Sequence, residues 1–197
     1  MDIGVWGDSI TYGRCDIEGL GWVGRLRRIR SAGLDYAATY ERGVCGDTSE
    51  GVLARFEKEF DSLIYGLDTV VFAVGINDSA RKGIEGEYIV PLEAFTKNME
   101  DVIAQAKEKV AKVYVVGTTN VDESRTAPLQ NSSTGKVFLN ENAKKYNEAL
   151  REVSARLKVP FIDVFGILEN RDLADGLHPN ANGYQKLFSV ISRQLRN

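Results

Sequence analysis

Short apolar runs alternate with helical patterns from one end of the chain to the other. The strand candidates are Ile3–Trp6, Ala37–Glu41, Thr69–Val74, Val113–Gly117 and Pro160–Val164. Several are rich in β-branched residues, and most are bounded by Gly, Asp or Asn. Residues 69–74 are apolar on both alternating faces, as expected of a strand buried on both sides in a parallel sheet covered by helices.

Amphipathic stretches lie between these runs. Trp22, Val23, Leu26 and Ile29 fall on one helical stripe. Val52, Leu53, Phe56, Phe60, Leu63 and Ile64 form a second, and Leu92, Phe95, Met99, Val102, Ile103, Ala106 and Val110 a third. Tyr146, Ala149, Leu150, Val153 and Leu157 make a fourth, and Tyr184, Leu187, Phe188, Ile191 and Leu195 the last. Spacings of three and four place each set on one face, which packs on the sheet. Five βα units in series predict a doubly wound α/β sandwich with a parallel sheet, as a single domain over residues 1–197. Two long connections, 77–91 and 120–140, follow strand C-termini. In open α/β sheets ligands bind at that edge, so these loops are expected to shape a pocket.

With 197 residues, 43% hydrophobic and 27% charged, the chain has the composition of a soluble globular protein able to build a core without disulfides or metals. A net charge of −3 gives no reason to expect nucleic acid or an anionic membrane as partner. No apolar run approaches membrane-spanning length. The N-terminus reads as a strand of the fold rather than a signal peptide, and the expected location is cytoplasmic. Cys15 and Cys45 read as reduced thiols. A single histidine and no Cys-x-x-Cys speak against a metal site, and no Gly-x-Gly-x-x-Gly or P-loop follows a strand.

His178 is the one histidine, so any neutral-pH mechanism with a histidine base must use it. It stands in Asp175-Gly176-Leu177-His178-Pro179, a loop-forming stretch. Such a loop can curl the carboxylate onto one ring nitrogen and leave the other free to take a proton. The same stretch also suits a surface histidine near a capping acid. Ser9 follows the first strand candidate in Gly7-Asp8-Ser9, a junction that presents a hydroxyl at the sheet edge and is also a common turn. Asp8 reads as a structural turn acid. Gly46, after the second strand, can offer its N–H to a developing negative charge, or can precede a helix capped by Asp47 or Thr48. Asn77, in Gly75-Ile76-Asn77-Asp78 after the third strand, is a neutral donor suited to an oxyanion hole or an Asx turn. Ser9, Gly46, Asn77 and His178 can all converge on one edge of the sheet.

In this order the blocks resemble the GDSL hydrolases, also called SGNH hydrolases after their Ser, Gly, Asn and His. The resemblance rests on Gly7-Asp8-Ser9, on Gly46 in Gly-Asp-Thr, on Gly75-Ile76-Asn77-Asp78 and on Asp175-Gly176-Leu177-His178-Pro179. It spans nearly the whole chain. The second block departs from the frequent family form, which begins with Asn, where Glu41-Arg42-Gly43 stands here. The resemblance implies a flavodoxin-like three-layer α/β/α sandwich with a five-stranded parallel sheet, and ester hydrolysis with no cofactor and no metal. It also implies Ser9 as nucleophile, His178 as general base, Asp175 as its orienting acid, and an oxyanion hole formed by Ser9, Gly46 and Asn77.

The expected partner is a small-molecule ester, with short acyl or acetyl esters, including acetyl groups on sugars, as first choice. A thioesterase or lysophospholipase would use the same triad, and a silent flavodoxin-like binding module is the alternative of another class. Cys45 as nucleophile lacks a readable activating environment. Tyr88, Pro91, Pro128 and Phe138 are expected to line the pocket. Oligomeric state is not legible.

Overall fold

A computed structural model describes residues 2–32, 37–63, 66–130 and 133–195. Ile64 of the second stripe and part of the polar run 130–135 lie outside the described residues. In chain order the elements are β1 (Ile3–Gly7), α1 (Ser9–Tyr12), α2 (Gly21–Arg30), β2 (Thr39–Gly43), α3 (Ser49–Asp61), β3 (Thr69–Ala73), β4 (Arg81–Lys82) and α4 (Leu92–Lys109). There follow β5 (Lys112–Val116), α5 (Glu123–Thr126), β6 (Lys136–Val137), α6 (Asn140–Leu157), β7 (Phe161–Ile162) and α7 (Ala181–Gln194).

Side chains alternate across the sheet and sort the core into two layers. Ile3, Val5, Val71, Tyr114 and Val116 pack with Trp22, Val23 and Leu26 of α2 and with Tyr184, Leu187 and Ile191 of α7. Trp6, Val70, Phe72, Val113 and Val115 point the other way, onto α3, α4 and α6. In that second layer Trp6 meets Phe56 edge to face, with ring centroids 4.9 Å apart. Gly4 makes room for this indole, because a Cβ there would lie 2.5 Å from the Trp6 ring.

The five-stranded sheet runs in the order β2-β1-β3-β5-β7, and every pairing is parallel. This is the flavodoxin-like arrangement, whose chain reverses its direction of growth beside β1. The crevice outside the C-terminal ends of β1, β2 and β3 is therefore where loops diverge and a ligand fits. Among the described residues no helix is long and apolar enough to cross a membrane.

Three expectations are corrected. The second strand begins at Thr39 rather than Ala37. It is a half-exposed edge strand, Thr-Tyr-Glu-Arg-Gly, so apolar content marks its position poorly. The last strand shrinks to Phe161–Ile162, and Ile29 is exposed because the final turn of α2 runs past the core. The long connections also hold structure of their own. Arg81–Lys82 and Lys136–Val137 pair antiparallel, clipping one connection to the other above the sheet edge.

Candidate active site

Ser9 opens α1 directly after β1. Asp8 caps this short helix by accepting the Ile10 N–H at 2.9 Å, so its role is structural, as the sequence suggests. Gly7 is forced by crowding, since a Cβ would sit 2.1 Å from Thr11 Oγ1 and 2.3 Å from the Ala73 carbonyl. The turn thus packs close against the end of β3, where the Thr11 hydroxyl donates to the Ala73 carbonyl.

His178 reaches this serine from the loop before α7. Its Nε2 lies 2.9 Å from Ser9 Oγ, and its Nδ1 lies 2.7 Å from Asp175 Oδ2. The other carboxylate oxygen accepts the N–H of His178 at 2.7 Å and that of Leu177 at 3.0 Å. The loop Asp175–His178 therefore curls as its composition predicts. Gly176 supplies a positive φ of 93°, at a point where a Cβ would press on Arg125. Partial burial alone would push Asp175 up. The His178 ring and the loop N–H groups outweigh it and hold this carboxyl well below the usual carboxylate range. Both Ser9 and His178 are buried.

The oxyanion candidates come from the next two strand ends. Asn77 follows β3, and its Nδ2 donates to the Asp47 carbonyl at 3.0 Å. A carbonyl can only accept, so this bond fixes the amide with nitrogen toward the cleft and leaves a second N–H to donate. Gly46, after β2, has φ of 84° with open space where a Cβ would stand. Neither its N–H nor that of Ser9, at the first position of a helix, is taken by a protein acceptor among the described residues. Thr48, not Asp47, caps α3. Asp47 instead pairs with Arg55, whose guanidinium also donates to the carbonyls of Gly7 and Arg42 and so ties the first two strand ends together.

Ser9, Gly46, Asn77, Asp175 and His178 line one cleft of about 400 Å³. All five sequence candidates are thus brought together. Of the four expected lining residues only Phe138 borders this cleft. Tyr88 is drawn away by Tyr146, 5.4 Å between ring centroids, and by a hydrogen bond to Asn142. Pro91 serves as the N-cap position of α4, and Pro128 sits exposed outside the cleft.

Sequence reasoning missed the supports beneath the site. Asp78 accepts the Ser49 N–H at 2.9 Å and its hydroxyl at 2.5 Å, locking the β3 loop to the start of α3. Burial lifts Asp78 to about 6 against these bonds. The Tyr184 hydroxyl donates to the Arg14 carbonyl at 2.8 Å and fixes the loop after α1. Adjacency was the available signal: Asp8, Asp47 and Asp78 each stand next to Ser9, Gly46 or Asn77. Cys15, Asp175 and His178 place one potential ligand atom each within 4.8 Å of one another, although the acid and the imidazole already bind each other.

A doubly wound sheet with a hydroxyl–imidazole–carboxylate relay at its switch point defines a class of α/β proteins built for acyl transfer. Residues 5–186 match the GDSL-like lipase/acylhydrolase family, and the chain belongs to it. A multidomain esterase of Ruminococcus flavefaciens is 25% identical over 135 residues, covering 66% of this chain and 16% of that protein. The isoamyl acetate-hydrolyzing esterase of Saccharomyces cerevisiae is 26% identical over 160 residues, covering 75% of this chain and 64% of that protein. The chain thus spans less than two thirds of the length of either relative. Among solved structures, a lipase/acylhydrolase from Enterococcus faecalis superposes with a TM-score of 0.78 at 28% identity, covering 98% of this chain and 94% of that one. An acetylxylan esterase from Geobacillus stearothermophilus shares the fold, with a TM-score of 0.76 at 18% identity over 98% and 93% of the two chains.

Proposed function

We propose that this chain is a serine esterase of short acyl groups, with acetyl esters of carbohydrates as its first candidates. The observation that carries the reading is the continuous relay from Ser9 Oγ through His178 to Asp175, with links of 2.9 and 2.7 Å. Ser9 attacks the ester carbonyl while Nε2 takes its proton. Asp175, ionised throughout the working range, holds the ring and stabilises its charged form. The N–H groups of Ser9 and Gly46 and the Asn77 amide receive the oxyanion, each such donor being worth about 3 kcal/mol in the transition state. His178 then protonates the departing alcohol and activates the water that clears the acyl-enzyme. The ester-hydrolysing names of the two relatives and the acetylxylan esterase fold neighbour agree with this chemistry.

The test is hydrolysis of p-nitrophenyl acetate, butyrate and octanoate by wild type, Ser9→Ala and His178→Ala, from about pH 5 to about pH 9. Activity falling along the chain-length series and lost in both variants is the expected result. Activity that survives Ser9→Ala refutes the assignment, and a preference for octanoate refutes the short-acyl reading.

A further inference from the structure

A second groove of about 670 Å³ adjoins the Ser9 cleft and meets it at Arg14, which lines both. It runs between the loop after α1 and the end of α2, bordered by Tyr12, Arg14, Cys15, Arg27 and Arg28. Among the described residues Arg14, Arg27 and Arg28 form no ion pair. The groove's acids are engaged elsewhere. Asp16 is closed on Arg25 and on the N–H groups of Glu18 and Gly21. Glu41 accepts the Gly43 N–H; burial pushes its carboxyl up against the pull of Arg27, whose charge it offsets only in part. The Arg14 guanidinium lies beside the thiols of Cys45 and Cys15. Across the Ser9 cleft stands another cation without an ion pair among the described residues, Lys136.

A chain of net charge −3 thus gathers an excess of positive over negative charge along one path leading from its nucleophile. The C-terminal turn of α2 accounts for some of it, since cations are favoured at a helix C-terminus. It accounts for neither Arg14, which sits in a loop, nor Lys136 on the facing wall.

The mechanism says which half of an ester this path receives. The leaving oxygen departs toward the imidazole that protonates it. Cys15, on the groove wall, donates its thiol to Asp175 Oδ2 at 3.8 Å, so the groove lies on the histidine side of Ser9. The alcohol half is therefore directed into it. Tyr12, 57% exposed, lines the groove and offers an aromatic face to a sugar ring. Leu20 is the one aliphatic side chain of the lining.

We propose that this groove is the subsite for the alcohol half of the substrate, and that this alcohol is an acidic carbohydrate, a sugar chain bearing carboxylates. The proposal rests on the serine esterase reading and narrows it.

The experiment compares kcat and KM on an acetylated uronate oligosaccharide, an acetylated neutral xylo-oligosaccharide and p-nitrophenyl acetate, for wild type and Arg27→Gln/Arg28→Gln. Wild type is expected to favour the acidic sugar, and the preference should shrink with added salt. The double variant should raise KM for the acidic sugar by roughly tenfold with kcat held and raise it far less for the neutral sugar, so that the preference between the two collapses. Calorimetric titration of the Ser9→Ala chain with deacetylated oligouronate reads the groove without any chemistry. Equal use of both sugars, or absence of salt-sensitive binding to Ser9→Ala, overturns the groove while Ser9-dependent p-nitrophenyl acetate hydrolysis keeps the esterase. Loss of that hydrolysis in wild type sinks the esterase reading, whatever the titration shows.

Discussion

Asp8 provides a quantitative test of how the site is supported. Its carboxyl is buried under the Ser9 turn, where it accepts the Ile10 N–H at 2.9 Å. Burial is the main force on it, and the neighbouring Asp78 and Asp47 add to it; together they lift its pKa from 3.8 to about 7. Below the ordinary value both folded and unfolded chains carry the proton. Between the ordinary value and about 7 the unfolded chain loses it and the folded chain keeps it, so unfolding releases a proton and stability falls as pH rises. A shift of roughly three units corresponds to about 4 kcal/mol, lost by the time the folded carboxyl ionises. Asp8→Asn keeps an oxygen for the Ile10 N–H and removes the charge. In urea unfolding the variant should match wild type near pH 4 and exceed it by up to about 4 kcal/mol near pH 8. Stability curves that stay parallel across this range would show that Asp8 ionises as freely in the folded chain as in the unfolded one, and the burial argument would fail.

Other perturbations separate supports from chemistry. In the proposed mechanism Asp175→Asn removes the charge that stabilises the imidazolium, and kcat should drop by a factor of about 10⁴ with KM little changed, as stopped assays on p-nitrophenyl acetate can show. Because Asp175 titrates well below the carboxylate range, its ionisation should not show in the acid limb of wild-type kcat/KM, and a carboxylate step between pH 4 and 5 would contradict the structure. Gly46→Ala meets open space but must hold φ near 84°, so unfolding measurements should show a loss of about 1–2 kcal/mol and no packing defect. Ser49→Ala strips the hydroxyl from Asp78 and should lower stability by about 1–3 kcal/mol, more at alkaline than at acid pH, since the carboxylate form of Asp78 is the one left short of a donor.

How much of this was legible in the sequence depended on how local each cause was. The central strands declared themselves because both faces of Val70–Phe72 are buried, and the five helices because each needs one apolar face. Strand β2 was placed two residues early because an edge strand with half-exposed Tyr40, Glu41 and Arg42 has little apolar pattern to read. The relay was legible because Asp175 and His178 are three residues apart and bond within one loop, and because Ser9 stands at a strand end. The pairing of Lys136 with Lys82 was not, since two-residue strands carry no periodicity. Nor was the burial of Asp8 and Asp78, or the bridge from Arg55 to Gly7 and Arg42. The letters show an aspartate beside each of Ser9, Gly46 and Asn77. Only the strand order β2-β1-β3 turns these three separate neighbours into one cluster of acids beside the proposed oxyanion donors, with Arg55 as the cation bound to Asp47. Negative charges on Asp8, Asp47 and Asp78 oppose one another in this cluster. Burial that raises Asp8 to about 7 thus keeps this carboxyl neutral over the acid half of the range and limits the charge held in the cluster.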